Sequence, residues 1–172
     1  MLNIDLSKLN LSGPIVIGVS TGSDSMALFH YMINNYKDTI ICAHINHNVR
    51  KQSNTEELFL KDYCNSNNII FETMKIDEYK ENNFENEARK KRYNFYEQIL
   101  NKYNSKYLLL AHHADDLIET ILMKIIRGSS ILGYAGIKKI TKRNNYYIIR
   151  PLLDYTKEEI LQYIKDNNIT YS

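Results

Sequence analysis

The stretch VIGVSTGSDSMALFHYM, from Val16 to Met32, decides which fold this chain is expected to adopt. It begins with an apolar run typical of a buried strand and continues, after Ser25, with apolar residues at helical spacing. A plain turn needs only one or two small or polar residues, whereas six separate these segments. The pattern therefore predicts a strand, a loop that holds a ligand, and a helix. The loop consists of Ser20, Thr21, Gly22, Ser23, Asp24 and Ser25.

The rest of the chain alternates between strand-like and helix-like segments. Strands are predicted at 14–19, 39–45, 69–76 and 107–111, and helices at 25–34, 55–67, 85–103 and 115–127. Segments 137–141 and 146–149 can pair as a hairpin, and Thr156 with Glu159 predicts a capping box that opens a last helix ending near residue 167. This alternation predicts an α/β fold, Rossmann-like, with a parallel twisted sheet of about five strands and helices on both faces.

The composition is that of an ordinary globular domain. The 172 residues amount to one domain, and 44% hydrophobic with 24% charged residues fit a globular protein. The formal net charge of +2 is too small to indicate nucleic-acid binding by itself. A run of basic residues with no acid among them is either a solvated face or an RNA-facing patch. The run consists of Lys138, Lys139, Lys142, Arg143 and Arg150.

The cysteines and the first residues bear on the compartment. Cys42 and Cys64 form neither a CxxC pair nor a zinc-ligand spacing, so we expect no disulfide and a cytoplasmic protein. The N-terminus lacks the pattern of a signal peptide. No segment approaches about 18 continuous apolar residues, so we expect no membrane span.

The position of the loop predicts an anion as its ligand. In open α/β sheets, ligands bind beyond the carboxyl ends of the strands, and a helix start adds free N–H groups and a positive dipole end. Gly22 lets the backbone approach closely, and the serine hydroxyls add donors. Asp24 would repel a phosphate unless a divalent cation bridges the two or the carboxylate caps the helix. A Ser-rich turn with an ordinary N-cap is the alternative, because the common glycine-rich nucleotide motifs are absent.

STGSDS closely resembles the SGGxDS loop of the N-type ATP pyrophosphatases, which split ATP into AMP and pyrophosphate. Thr21 stands where that family commonly has glycine, and a β-branched residue disfavours positive φ. Further stretches resemble the tRNA(Ile)-lysidine synthases of this superfamily, with Asn48 replacing a glycine in the first of them. They are HINHNVR (44–50), NFENEARKKRY (83–93), AHHADDLIETILMKIIRGSS (111–130) and IIRPLLDYTKEEI (148–160).

This resemblance implies a fold like that of the adenine nucleotide alpha hydrolases, with ATP and Mg²⁺ as cofactors and Asp24 as the magnesium ligand. It implies a two-step reaction on a tRNA(Ile) with a CAU anticodon. ATP adenylates the C2 oxygen of the wobble cytidine and releases pyrophosphate, and the ε-amine of free L-lysine then attacks C2 and expels AMP. It also implies a single N-terminal ATP-binding catalytic domain over residues 1–172, without the C-terminal tRNA-binding domains of the family.

Three other functions are open. One is a tRNA thiolase, although thiolases that carry sulfur through paired cysteines or a cluster need Cys spacings that this sequence lacks. The others are a synthetase acting on small molecules and a nucleotide-binding module without catalysis.

Asp116 and Glu119 are three residues apart on the fourth predicted helix, so their side chains share one face. Apolar residues at 117, 118, 121, 122 and 125 form a stripe that is expected to face the core, which turns the carboxylates away from it. Acids at a helix start also simply complement its dipole. The resemblance implies that Asp116 and Glu119 hold the free lysine.

The histidines and arginines of the motifs have two interpretations each. His112 and His113 end a strand and point in opposite directions, so one is expected to contact the nucleotide and the other to pack. Arg89 and Arg92 fit a solvated helix face, but the resemblance implies that Arg89 orients substrate or phosphate with parallel N–H donors.

Three further polar residues lie at predicted strand ends. Arg150 is either a surface residue or one that reaches the triphosphate. His44 and Asn46 either contact the adenosine or merely supply strand-end polarity.

Overall fold

The computed structural model describes residues 2–47, 53–76, 84–126 and 137–172. Asn48, Arg127 at the end of the fourth predicted helix, and residues 128–136 lie outside these ranges. The strands in the described ranges are β1 (Ile15–Val19), β2 (Ile40–Asn46), β3 (Ile70–Lys75), β4 (Tyr107–Leu109), β5 (Ile140–Lys142) and β6 (Tyr147–Ile149). The α-helices are α1 (Ser23–Asn35), α2 (Ser53–Ser66), α3 (Phe84–Lys102), α4 (Ala114–Ile126) and α5 (Lys157–Asp166), with 3-10 turns at Leu6–Leu9 and Pro151–Asp154.

The strands form one sheet in the order β3-β2-β1-β4-β6-β5. Five strands are parallel, and the edge strand β5 pairs antiparallel with β6. This confirms the predicted parallel sheet and the predicted hairpin. After β1 the chain builds β2 and β3 on one side of β1, and then places β4 on the other side. The carboxyl ends of β1 and β4 therefore border a topological switch point, where ligands bind in such sheets.

Helices cover both faces of the sheet, as the alternation of segments predicts. Residues of β1 alternate between two cores, with Ile15 and Ile17 on the side of α1, α2 and α5, and Val16 on the side of α3. The predicted capping box is present, because the Thr156 side chain accepts from the Glu159 N–H and the Glu159 carboxylate accepts from the Thr156 N–H. None of the helices in the described ranges combines the length and apolar character that crossing a membrane requires.

The expectation that α4 turns its apolar stripe to the core is wrong for the residues described. No residue of α4 is buried, and Ile118 and Leu122 are 55% and 53% exposed. The reason is topological: α1, α2 and α5 already occupy one face of the sheet and α3 the other. α4 instead packs by its beginning against the Pro151–Asp154 turn, with the Ala114 N–H donating to the Tyr155 carbonyl at 2.9 Å.

Candidate active site

A cavity of about 560 Å³ opens at the carboxyl edge of the sheet, between the ends of β1, β2 and β4. This volume lies in the usual range for small-molecule sites. Residues from the β1–α1 loop, the end of β2, α3 and the segment after β4 line it. The polar lining residues are Ser20, Asp24, Ser25, His44, Asn46, His47, Ser53, Glu56, Arg92, Tyr96, His112 and Asp116, with Gly22 also at the wall.

Gly18 is needed to shape this cavity. A Cβ atom on Gly18 would lie 2.7 Å from the phenolic oxygen of Tyr96 and 2.8 Å from Cδ2 of Leu110. Tyr96 is buried and lines the cavity from α3. The missing side chain of Gly18 therefore lets α3 pack close to β1 and places Tyr96 at the cavity wall.

The β1–α1 loop is shorter than expected because α1 begins at Ser23, two residues before the predicted start. Gly22 is the N-cap and makes no side-chain cap bond, so Asp24 lies inside the first helical turn and is not the cap. Ser25 closes the loop: its Oγ accepts from the Ser20 N–H at 3.1 Å and contacts the Gly22 carbonyl at 2.9 Å. The start of α1, with its unpaired N–H groups, thus opens toward the cavity.

Thr21 adopts the left-handed conformation that a β-branched residue disfavours, with φ at +66°. Its side chain is buried, and its Oγ1 donates to the Ser20 carbonyl at 2.5 Å. The Ser172 N–H donates to the Thr21 carbonyl at 3.0 Å. The threonine therefore takes a backbone conformation that glycine adopts readily, and its side chain does not line the cavity.

Asp24 is held by a lysine from the far end of the chain. Lys157 Nζ lies 2.5 Å from Asp24 Oδ1 and donates to Ser23 Oγ at 2.8 Å. Asp115 fixes this lysine, because its Oδ2 accepts from the Lys157 N–H at 2.8 Å. The sequence analysis missed Lys157. One signal was available, since a lysine at the first position of a helix opposes the helix dipole and needs an anionic partner.

Three carboxylates surround the buried side chain of His113. Its Nε2 lies 3.7 Å from Asp24 Oδ2 and 3.6 Å from Asp116 Oδ2, and its Nδ1 lies 3.6 Å from Asp115 Oδ2. The His113 N–H also donates to Asp116 Oδ2 at 2.8 Å, which anchors the start of α4. The structure therefore brings Asp24 of the loop and Asp116 of α4 to the same imidazole, at one wall of the cavity.

His112 lines the cavity, whereas His113 is buried outside its lining, and contact of His112 with the nucleotide stays a prediction. Burial lowers the pKa of His112 below its ordinary value of 6.5, and the positive charge of Arg150 lowers it further. Its Nδ1 has no hydrogen-bond partner within the described ranges. That nitrogen is buried, but the neutral imidazole lines the cavity, where it can accept a proton or contact a base.

The end of β2 supplies the opposite wall. His44 Nδ1 is protonated, because it lies 2.9 Å from the Val19 carbonyl oxygen, which can only accept. Asn46 is 1% exposed, and its Nδ2 donates to Glu57 Oε2 at 2.6 Å and to Asn54 Oδ1 at 3.2 Å. Both side chains are fixed in place at the rim where the sequence analysis expects an adenosine.

Arg92, and not Arg89, lines the cavity. The two arginines lie on neighbouring turns of α3, and Arg89 lines a different pocket. Arg89 lies in a second pocket, with its guanidinium carbon 5.8 Å from the centre of the Tyr93 ring. The sequence motif contains both arginines, so only the packing of α3 distinguishes them.

Glu119 and Arg150 also lie outside the cavity lining. Glu119 is exposed one turn further along α4. Arg150 is buried, and its Nη1 donates to the Lys138 carbonyl at 2.7 Å and to Thr141 Oγ1 at 3.0 Å, which braces the β5–β6 hairpin. Burial lowers the pKa of Arg150. The basic run does not form one patch at the cavity either. Lys139 pairs with Asp154, and Arg143 lines the second pocket.

A loop of small residues leading into a helix at the switch point of a parallel sheet defines a nucleotide-binding α/β domain. Comparison with known proteins narrows this class. The chain matches the PP-loop domain, an ATP-binding family, over residues 5–172, and it belongs to that family.

Relatives named tRNA(Ile)-lysidine synthase share about two fifths of the aligned residues. The chain is 41% identical over 164 residues to the tRNA(Ile)-lysidine synthase of Staphylococcus aureus (strain MRSA252), an alignment that covers 91% of this chain and 38% of that protein. It is 42% identical over 164 residues to the tRNA(Ile)-lysidine synthase of Bacillus anthracis, covering 90% of this chain and 34% of that protein. The chain thus spans little more than a third of the length of these relatives.

Solved structures of lower identity share the fold. The U34-tRNA thiolase NcsA from Methanococcus maripaludis superposes with a TM-score of 0.79 at 17% identity, covering 98% of this chain and 61% of that one. The NH3-dependent NAD synthetase from Campylobacter jejuni gives a TM-score of 0.63 at 15% identity, covering 96% of this chain and 69% of that one. These likenesses confirm the predicted fold of the adenine nucleotide alpha hydrolase type.

Proposed function

We propose that this domain ligates free L-lysine to C2 of the wobble cytidine of a tRNA(Ile) with a CAU anticodon, at the expense of ATP. The observation that carries the proposal is the convergence of Asp24 and Asp116 on His113 at one cavity wall. The β1–α1 loop therefore lies beside Asp116, the acid that the resemblance connects with lysine binding. The identity of about two fifths to tRNA(Ile)-lysidine synthases supports this choice among PP-loop chemistries.

In this proposal the triphosphate lies on the start of α1. The N–H groups of the first turn and the hydroxyls of Ser20 and Ser25 donate to the phosphate oxygens. Lys157, already at the loop, supplies a positive charge from the side of α5. His44 and Asn46 line the part of the cavity that remains for the adenosine.

The residues present fit a magnesium ion bound together with ATP. Mg²⁺ is usually held by one or two carboxylates, with phosphate oxygens and water completing the octahedron. Asp24 can supply such a carboxylate, since it lies in the first turn of α1 and lines the cavity. When bound, the ion neutralises charge on the phosphates.

The first chemical step joins the cytidine C2 oxygen to the α-phosphorus of ATP and breaks the bond to pyrophosphate. The α1 start and Lys157 stabilise the negative charge that the departing pyrophosphate retains. Arg92 reaches the cavity from α3 and can orient the α-phosphate or the cytidine. AMP then occupies the C2 oxygen, and it leaves far more readily than the original oxygen would.

In the second step the lysine ε-amine attacks C2, and the C2–oxygen bond to AMP breaks. Asp116 attracts the ammonium group into the cavity. The amine must lose a proton before or during the attack, and His112 is a suitable acceptor because its lowered pKa keeps it neutral. We propose that the reaction takes place in the cytoplasm.

The direct test is to incubate the chain with ATP, Mg²⁺, isotope-labelled lysine and a tRNA(Ile) transcript, and to analyse the nucleosides by mass spectrometry. The expected product is lysidine at the wobble position, together with one AMP and one pyrophosphate. Replacing the CAU anticodon should abolish the reaction. Consumption of ATP with no labelled nucleoside in either transcript would contradict the proposal.

The thiolase alternative has no support from the cysteines of this chain. Cys42 and Cys64 are its only cysteines, and both are buried in the core beside α1 and α2. Burial raises the pKa of the Cys42 thiol well above its ordinary value, which disfavours the reactive thiolate. Neither residue lines the cavity.

Replacing Lys157 with glutamine should raise the KM for ATP by about tenfold or more. The reason is that a charge-assisted contact to phosphate contributes about 1.5–3 kcal/mol, and each 1.4 kcal/mol corresponds to a factor of ten. Steady-state pyrophosphate release measures the effect. Lys165→Gln, which removes an exposed charge from the end of the same helix, is the matched control and should leave the KM unchanged. Equal KM values for the two variants would remove Lys157 from the phosphate site.

The pH dependence should reveal the neutral state of His112. A histidine whose pKa is lowered by folding binds fewer protons than in the unfolded chain, so its contribution to stability is complete above pH 6.5 and declines as the pH falls. The free energy of unfolding should therefore fall from pH 7.5 to pH 5.5, and less so in His112→Gln. The rate of the lysine step should also fall as the pH falls through the lowered pKa of His112, and His112→Gln should lose this dependence.

His30 is the matched control for this measurement. It is half-buried on α1, outside the cavity lining, and burial lowers its pKa too. His30→Gln should reduce the pH dependence of stability while leaving the pH–rate profile intact. A pH–rate profile of His112→Gln identical to that of the wild type would exclude His112 as the proton acceptor.

A further inference from the structure

A second pocket, of about 290 Å³, lies between α3 and the β5–β6 hairpin. Its lining shares no residue with the cavity at the carboxyl edge of the sheet. We call it the Arg–Tyr pocket, because its characteristic residues are Arg89, Lys90, Tyr93, Glu97, Arg143 and Tyr146. The proposed reaction assigns no role to any of them.

Two guanidiniums from distant parts of the chain converge on one aromatic ring in this pocket. The guanidinium carbon of Arg89 lies 5.8 Å from the centre of the Tyr93 ring, and that of Arg143 lies 5.6 Å from it. Such contacts with the ring hold both cations in place at a modest gain in free energy. A merely solvated face would keep two like charges apart, whereas here they meet at a concave surface.

Positive charges outnumber the one acid in this pocket, since Arg89, Lys90 and Arg143 line it with Glu97. In the part of the chain that the structure describes, neither Arg89 nor Arg143 forms an ion pair. The single carboxylate of the lining, Glu97, accepts a hydrogen bond from Tyr146 Oη at 3.1 Å. The positive charges also act on Arg150. Burial is the main cause that lowers the pKa of Arg150, and the charges of Arg143 and Arg89 lower it further. The pocket therefore suits an anionic ligand.

The pocket is adjacent to the cavity across α3. The rings of Tyr93 and Tyr96 meet edge to face with their centres 6.3 Å apart, and Tyr96 lines the cavity. Arg92 also lines the cavity and directly precedes Tyr93. A chain molecule whose reacting group enters the cavity can thus lay its next unit over α3 and into the Arg–Tyr pocket.

Planar cations, an aromatic ring and an unpaired positive field together match a nucleotide of single-stranded RNA. Guanidiniums bind phosphate through parallel N–H donors, and tyrosine and arginine planes stack on unpaired bases. The amide side chains of Asn86 and Asn94 and the Glu97 carboxylate add hydrogen-bonding groups for base edges. A free phosphate would contact the two arginines but would not account for the Tyr93 ring in the pocket.

We infer that the Arg–Tyr pocket binds a loop nucleotide that flanks the reacting cytidine of the RNA substrate. Arg89 and Arg143 contact its phosphate, and Tyr93 contacts its base. This inference rests on the proposed function, because it takes the reacting cytidine to lie in the neighbouring cavity. Arg143 of the basic run and Arg89 of the α3 motif thus contact the RNA, at a place separate from the ATP site.

The test compares two double variants of equal charge. Arg89→Gln/Arg143→Gln removes two charges at the pocket, and Lys37→Gln/Lys106→Gln removes two exposed charges at the opposite, amino edge of the sheet. Binding of an RNA hairpin with the CAU anticodon loop is measured by fluorescence anisotropy over a salt series. The pocket variant should bind about tenfold more weakly and lose about 0.7 from the log–log salt slope, since both arginines contact one single-strand phosphate and each such phosphate contributes about 0.7. The control variant should change affinity less than twofold.

Two further measurements separate the inference from the proposed function. ATP affinity should be the same in both double variants and the wild type, which shows that the fold is intact. Tyr93→Leu should weaken hairpin binding without changing the salt slope, as expected for loss of stacking. Equal hairpin affinities of the two double variants would overturn the pocket assignment while leaving lysidine formation as proposed. If the wild-type chain binds ATP but not the hairpin, both the assignment of RNA as the substrate and the assignment of the pocket are wrong.

Discussion

Asp24→Asn should reduce ATP-dependent pyrophosphate release by about a thousandfold, the scale expected when a group that stabilises charge in the transition state is lost. The amide has the size of the carboxylate but can no longer neutralise a magnesium ion or pair with Lys157. In this variant Lys157 no longer pairs with residue 24 and can contact a phosphate of bound ATP. The affinity for ATP should therefore fall far less than the rate. Stopped-flow pyrophosphate detection and equilibrium binding of ATP measure the two quantities separately.

The control for this variant is Asp62→Asn, which replaces an exposed aspartate on α2, outside the cavity lining. It should retain the wild-type rate and affinity. Retention of more than a tenth of the wild-type rate by Asp24→Asn would remove Asp24 from the reaction and leave it as a structural partner of Lys157.

Asp116→Asn should raise the KM for lysine by about 30-fold or more, with a smaller effect on the KM for ATP. Loss of one partner of a desolvated charge pair costs about 2–5 kcal/mol, and the lower end of that range corresponds to this factor. The asparagine side chain of this variant can still accept from the His113 N–H through its amide oxygen, so the start of α4 should persist. Steady-state kinetics with each substrate varied in turn distinguish the two KM values.

Glu119→Gln provides the comparison within α4. The resemblance assigns lysine binding to both acids, but only Asp116 lines the cavity, whereas Glu119 is exposed one turn away. The effect on the KM for lysine should therefore be larger for Asp116→Asn than for Glu119→Gln. The reverse order would mean that α4 presents a different face to the bound lysine.

The elements and their order could be predicted because their signals are local. Apolar runs ended by turn residues predicted the four strands β1 to β4, and the pair Thr156 and Glu159 predicted the start of α5. The site location followed from the general rule that ligands bind at the carboxyl ends of parallel strands. The Ser20–Ser25 stretch needed only this rule to be placed at the cavity.

Other features depend on contacts between distant parts of the chain. Lys157 meets Asp24 across 133 residues, and nothing local connects the two. The amphipathic pattern of α4 predicted a buried stripe, but a pattern does not tell whether other helices already cover the sheet. Arg89 and Arg92 carry the same charge in the same motif, and only the way α3 packs against β1 through Gly18 turns Arg92 to the cavity.

The central claim is that the β1–α1 loop binds the phosphates of ATP beside Asp116, and a crystal structure of the chain with Mg²⁺ and a non-hydrolysable ATP analogue tests it most directly. The β- and γ-phosphates should lie within hydrogen-bond distance of the N–H groups from Gly22 to Ser25. Lys157 Nζ should have moved from Asp24 to a phosphate oxygen, and the adenine should lie near His44 and Asn46. Phosphates bound outside this cavity, with the Lys157–Asp24 pair intact, would contradict the account.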